Sequence, residues 1–201
     1  TLVLGLNNVG KLRTKGVEWE LSAKPSDWFR LDFSGAYTDA KIRSFPFADC
    51  WTNQGTEQPT VCFDTDGAGP RGRTQNLAGV RLANAPKWKF NLGGMADFPI
   101  GDAFDGFASL SYLYQSKVHY DLFNSPYAVQ GGYGVLNASL GLKESSGEGF
   151  KLTLFVNNLA KKRHATFIGD QASLYGNRHV LTQFVPRSAQ RYVGAKLDYA
   201  F

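Results

Sequence analysis

The 201-residue chain is 43% hydrophobic and 14% aromatic, with a formal net charge of +5 and a mean hydropathy of −0.28. No run of about 18 apolar residues occurs, which excludes a membrane-crossing helix but not a barrel whose strands alternate lipid-facing and lumen-facing side chains. The mild charge is scattered without an aromatic-flanked basic motif, so nucleic acid is not an expected partner, and 22 Gly, 15 Phe and 9 Tyr beside a single Met favour strands over helices.

The chain opens on "TLVLGLNN", without Met or a secretory signal, and is read as a fragment or a processed product. The first strand is expected over "GVEWELSAK", where Val17, Trp19, Leu21 and Ala23 share a face opposite Glu18, Glu20, Ser22 and Lys24. After the tight turn "PSDW", "FRLDFSGAYT" sets Phe29, Leu31, Phe33, Gly35 and Tyr37 against Arg30, Asp32, Ser34 and Ala36. A non-periodic stretch then runs over roughly 45–85. "KWKFNLGGMADF" brings Trp88, Phe90, Leu92 and Phe98 into phase, and "PIGDAFDG" connects it to "FASLSYLYQSKVHY", with Leu110, Tyr112 and Tyr114 on one side. The loop "DLFNSPYAVQGG" precedes "YGVLNASLGLK", in which Leu136, Ala138, Leu140 and Leu142 oppose Asn137, Ser139, Gly141 and Lys143. The turn "ESSGEG" leads to "FKLTLFVNNLAKKR", with Phe150, Leu152, Leu154 and Val156 against Lys151, Thr153 and Asn157. A loop over 164–188 ends in "RYVGAKLDYAF", where Val193, Ala195, Leu197, Tyr199 and Phe201 alternate with Tyr192, Gly194, Lys196, Asp198 and Ala200.

Seven strands and an N-terminal stub are therefore expected, with no helix of useful length. Strands of about 12 to 16 residues exceed the mode of about 5–6 in soluble domains. Connections alternate in length: short at 25–28, long at 45–85, short at 99–105, medium at 121–132, short at 145–149 and long at 164–188. In an up-and-down meander every second connection falls at one end, so tight turns gather at one end and long loops at the other. Outer-membrane barrels have that arrangement, whereas a Greek-key sandwich has no reason to sort its loops by end. With the tight turns in the periplasm, the chain stops where the membrane stops. Tyr199 and Phe201 then lie in an aromatic girdle, and Trp19, Trp28, Trp88 and Phe98 are read as lipid-facing or girdle residues. Glu18, Glu20, Asn137, Lys151, Asn157 and Lys196 would face the lumen.

Five stretches, in order, resemble the C-terminal part of a TonB-dependent outer-membrane receptor. "NNVGKLRTKGVEWEL" is similar to that family's N-x-G-x-x-x-x-x-G-x-E strand, "AYTDAKI" to the strand after it, and "LANAPKWKFNLG" to the re-entry after a long loop. "FVNNLAKKRH" resembles the penultimate strand, V-x-N-L-x-(D/N)-K-x-Y, and "YVGAKLDYAF" the terminal strand with its final aromatic. Lys161 stands where the family often has Asp, and His164 where it often has Tyr. The resemblance covers essentially the whole chain. It implies an all-β, antiparallel up-and-down meander over 1–201 that supplies the C-terminal strands of a plugged transmembrane β-barrel of about 22 strands. The plug, and the TonB box that couples it to the energised TonB complex, are not found in these residues. The terminal aromatics Tyr199 and Phe201 would be the recognition signal for the barrel-assembly machinery, and the strands would contact outer-membrane lipid.

Motifs for catalysis or cofactors are lacking: there is no phosphate-cradling loop, no G-x-S-x-G and no H-E-x-x-H. No cofactor and no enzymatic activity are expected. A lipid-acting barrel enzyme would need a Ser–His pair at the membrane edge, and Ser111 and His119 are too far apart on one strand. Cys50 and Cys62 share one loop, as a local disulfide in an oxidising compartment or as two free thiols. His119, His164 and His179 fall near loops and lack ligand spacing, so they read as exposed loop histidines and no metal is expected. Asp49, Asp64 and Asp66 read as solvated loop carboxylates. Arg71, Arg73, Arg81, Arg163, Arg178, Arg187 and Arg191 lie in or beside the long loops, where their field would draw an anionic ligand. Attraction to anionic lipopolysaccharide, or plain solubility, accounts for the same charges. Phe123, Tyr127, Phe167 and Tyr175 would stack on a ligand or pack the loops together. Of these, Arg73, Arg81, Phe123, Tyr127, Arg163, Phe167, Tyr175 and Arg178 form the candidate ligand-binding set.

The expected function is TonB-coupled uptake of a scarce ligand, a ferric siderophore first. The same fold importing haem, cobalamin, a saccharide or an aromatic compound is the alternative within transport. A soluble all-β carbohydrate-binding module is the alternative outside it.

Overall fold

The computed structural model describes residues 10–64, 72–176 and 178–201; the expected N-terminal stub lies largely outside them. Seven long strands form one sheet: β1 Lys11–Ser26, β2 Phe29–Ser44, β3 Trp88–Ile100, β4 Phe104–Gln115, β5 Tyr133–Glu144, β6 Gly149–Asn157 and β7 Tyr192–Ala200. Each pairs antiparallel with the next in chain order, so the sheet is a pure meander with β1 and β7 at its edges. It does not close on itself.

The register makes the sequence alternation continuous across strands. Leu21, Phe33, Leu92, Tyr112 and Leu136 lie side by side from β1 to β5. Leu110, Ala138, Val156 and Val193 continue such a row to β7. Between the strand ends this face is apolar and yet open: Leu110, Leu140, Leu154 and Leu197 are more than half exposed. A soluble antiparallel sheet buries its apolar face under a second layer, and among the described residues none packs here. The opposite face carries the polar rows. Arg30 Nε donates to Asp32 at 2.9 Å, Ser22 bonds the same carboxylate, Ser109 and Ser139 hydroxyls lie 2.7 Å apart, and Lys143 pairs with Asp97 at 3.0 Å. A sheet with bonded polar groups inside and bare apolar groups outside is the inverse of a soluble sandwich and matches a membrane barrel wall.

The tight turns at Asp27–Trp28, 101–103 and 145–148 share one end. Aromatics gather there on the apolar face. Phe150 and Tyr199 pack at 4.7 Å, Tyr199 meets Phe201 edge-on at 5.2 Å, and Trp28 lies against Phe29 at 5.6 Å. Aromatic belts of this kind sit at membrane–water interfaces. Trp19 instead lies towards mid-strand, across Gly35, where a Cβ would come within 2.6 Å of the indole, so the glycine is what makes room for the ring.

The last strands are shorter than expected. β6 and β7 have nine residues each, and β6 stops at a polar knot. Asn158 is fully buried with φ at 52°. Its N–H donates to Asn137 Oδ1 at 2.9 Å, its Nδ2 donates to the Lys162 carbonyl at 3.0 Å, and its Oδ1 accepts from Lys162 N–H at 2.7 Å. That closed ring diverts the chain from the sheet before Lys161–Arg163 can join it. β4 likewise ends at Gln115, and Val118–His119 pairs with Val129–Gln130 in a separate ribbon.

Replacing Leu154 by Arg puts a charge in the middle of the apolar face and is expected to cost about 2–4 kcal/mol, read as a lower urea midpoint for folding into lipid vesicles. Asn158→Ala removes two side-chain bonds from a buried left-handed position and is expected to cost about 2 kcal/mol in the same titration.

Candidate functional site

The three long connections, 45–87, 116–132 and 158–191, converge at the end away from the tight turns. The first is built around buried amides. Cys50 and Cys62 are joined in a disulfide with a Cα separation of 6.0 Å, and Gln54–Glu57 forms a single helical turn inside the loop it closes. Arg73–Gln75 pairs on one side with Ala48–Asp49 and on the other with Phe63–Asp64. Gln54 Oε1 accepts Trp51 N–H at 3.1 Å and its Nε2 donates to Gln75 Oε1 at 2.9 Å. Gln75 Nε2 then donates to the carbonyls of Asp49 and of Phe123, at 2.8 and 2.9 Å. Both glutamines are almost completely buried, so each amide must find partners, and the relay reaches the second connection. Residues 77–82 fold back along β2 through Gly79 N–H to Ile42 O and Leu82 N–H to Ala40 O, sealing a small core of Ile42, Ala48 and Leu77.

The second and third connections are also tied. Tyr120 Oη donates to the Ala165 carbonyl at 2.7 Å, and Gln130 Oε1 accepts Ala165 N–H at 2.8 Å. His164 is buried and stacked on Tyr133 at 4.2 Å, and burial holds its imidazole below the usual histidine range. In the third connection Phe167–Asp170 pairs with Leu181–Phe184, and Phe167 packs on Phe184 at 5.3 Å.

A pocket of about 400 Å³ opens between β1, β2 and the first two connections. Leu12, Ile42, Phe45, Val80, Leu82, Leu122 and Phe123 make its apolar walls, with Asp49, Arg81, His119, Asp121 and Asn124 as its polar groups. Burial first, then Lys117 and Arg81, keep the His119 imidazole below the usual range, and its Nδ1 is buried with no partner among the described residues. Burial pushes the Asp121 carboxyl up, against three backbone N–H groups that favour its ionised form. Apolar walls with a few convergent polar groups suit binding. No nucleophile with an adjacent base lies in this pocket, and among the described residues no cluster of three or more metal-ligating side chains occurs.

The structure sorts the sequence candidates. Arg81 and Phe123 line the pocket, but Arg81 is already engaged: it lies 3.7 Å from Asp39 and donates to the Thr38 carbonyl at 3.2 Å. The Arg73 guanidinium packs across Gly55, where a Cβ would collide with it. Arg187 lies 4.8 Å over the Tyr192 ring. Arg163, Arg178 and Arg191 are exposed, as is Tyr175. Tyr127 is removed from the pocket and stacks on His179. Arg71 and Asp66 lie outside the described residues, and Asp49 and Asp64 are exposed. The expectation of exposed histidines is corrected: His164 is buried, and His119 and His179 are partly buried, because the loops pack on one another. Trp51, Gln54, Glu57, Gln75 and Asp170 had no sequence signal; they carry ordinary loop identities and meet only through long-range closure.

The family described as "TonB dependent receptor-like, beta-barrel" matches residues 3–159. The crystal structure of the ferric yersiniabactin uptake receptor FyuA from Yersinia pestis superposes with a TM-score of 0.68 at 18% identity, covering 96% of this chain and 24% of that one. The siderophore receptor PiuA from Acinetobacter baumannii gives a TM-score of 0.56 at 15% identity, covering 92% of this chain and 21% of that one. At such identities the likeness concerns the fold, and the chain spans about a quarter or less of the length of these solved receptors. No curated protein sequence gives a significant match.

Exchanging Cys50 and Cys62 together for Ser removes a constraint worth about 3 kcal/mol to the first connection. The expected outcome is faster trypsin cleavage within 45–87, mapped by mass spectrometry, with an unchanged thermal transition of the sheet.

Proposed function

The chain belongs to the TonB-dependent receptor-like β-barrel family, and on that premise we propose that it forms part of the wall and outer vestibule of an outer-membrane receptor for ferric siderophores. The carrying observation is the meander itself, with a bare apolar face, a bonded polar face and long packed connections at one end only. The two solved receptors it resembles are described as taking up ferric yersiniabactin and as a siderophore receptor, which supports the cargo class. In this reading the apolar face meets outer-membrane lipid, the polar face meets a plug coupled to the TonB complex, and Tyr199 and Phe201 serve the barrel-assembly machinery. Cargo is captured and released unchanged, with no catalytic step.

The ligand-facing groups are revised by geometry. Arg73, Arg81 and Arg187 hold structural contacts, so the field that draws an anionic complex falls to the exposed Arg163, Arg178 and Arg191. Phe123 at the pocket wall and the exposed Phe167 and Tyr175 are the aromatic surfaces that would stack on it.

Abundance of the whole receptor in outer membranes of its host is expected to rise under iron starvation relative to iron-replete growth. Unchanged abundance would remove iron as the default cargo and move a saccharide, cobalamin or aromatic compound ahead of it.

A further inference from the structure

One side chain joins all three long connections. His179, in the third, presents Nδ1 to the Asp170 carboxylate and Nε2 to Glu57 Oε1 at 3.0 Å. Glu57 stands on the helical turn of the first connection, 122 residues away in sequence. Its other oxygen accepts the hydroxyl of Tyr127, from the second connection, at 2.8 Å. The Tyr127 ring stacks on the imidazole with centroids 3.9 Å apart, and Trp51 lies 6.0 Å from it.

A neutral imidazole has one N–H and one lone pair. It satisfies one of these carboxylates and turns a lone pair on the other. Only the imidazolium donates to both, and its position over the Tyr127 ring favours the cation again. The titratable groups around it are Glu57 from the first connection, Tyr127 from the second and Asp170 from the third; Asp121 of the second lies within the field of Asp170. Arg178 adjoins it in the chain and is exposed. Among the described residues no Lys or Arg forms an ion pair with Glu57 or Asp170.

We propose that His179 is a proton-operated latch: as imidazolium it fastens the third connection to the first and second, and on losing its proton it lets them part. Burial opposes the charge, but the hydrogen bonds to Asp170 and Glu57 outweigh it and raise His179 above the usual histidine range. A raised value in the folded state means that the stabilisation is complete below the ordinary histidine value and is lost as pH rises through the raised one. At the acid end, the His179 bond and then the Tyr127 bond hold Glu57 below the usual carboxylate range, so the latch stays shut until pH falls past that lowered value. The latch stands on loop geometry and is independent of the cargo.

Hydrogen–deuterium exchange of the whole receptor in detergent micelles, from about pH 5.5 to about pH 9, tests it on the amides of 167–184 after correction for intrinsic rates. Protection is expected to fall at least about tenfold in a single step centred above the ordinary histidine value. H179Q, which cannot donate from two ring positions, is expected to show low protection at every pH. E57Q keeps the histidine but removes one carboxylate charge, and is expected to move the step to lower pH. Heat-modifiable gel mobility checks that each variant has folded. Flat wild-type protection, a surviving step in H179Q or an unmoved step in E57Q would each overturn the latch.

Discussion

A backbone amide in hydrocarbon has no water to bond, so every N–H and C=O of a lipid-embedded strand must meet a neighbouring strand. That requirement orders the rest of the molecule. It makes the strands long and the pairing sequential, and it leaves β1 and β7 as edges that need further strands beside them. It also decides which face carries which side chains. In the proposed barrel, apolar side chains turned to lipid need no cover, and Leu140 and Leu154 lie paired and open. Polar groups turned inward must be bonded, as Asp32, Ser139 and Asp97 are.

Outside the sheet the constraint is different. A long connection with only short ribbons of its own pays closure entropy and leaves many amides to be satisfied. Each one here is stabilised by a local device with long-range reach. The disulfide closes the tip of the first, and the Gln54–Gln75 relay fills its interior and extends to Phe123. Tyr120 and Gln130 pin the second to Ala165 of the third. Asn158 fixes where the third leaves the sheet, through bonds to Asn137 of β5 and Lys162.

The sheet was legible because a period of two is a local property: Val17 to Ala23 or Leu136 to Leu142 declares its face within a few residues. Strand ends were less legible. "FVNNLAKKR" keeps a strand-like rhythm past Asn157, and only the ring of bonds around Asn158 shows why pairing stops. The loop site was largely illegible. Glu57, Tyr127, Asp170 and His179 are common loop residues with no fixed spacing, and their meeting depends on where the six strand ends of three connections place them. Arginine positions were visible, but charge in a sequence is not free charge in a fold. Asp39 sits beside Arg81 only because β2 and residues 77–82 run together.

The two ends of the sheet are therefore held in different ways. At the turn end, hairpins join neighbours directly and nothing needs to reach across. At the loop end, the connections join β2 to β3, β4 to β5 and β6 to β7, and side chains link those three units laterally. Gln75 ties the first to the second, Tyr120 the second to the third, and Glu57 with His179 the first to the third. The links form a closed triangle, so no connection can move without breaking bonds to both others. Bonds arranged this way couple non-additively: loosening one side weakens the hold of the remaining two. The three connections then hold or part together, and a single titrating group on one side of the triangle has leverage over all of them.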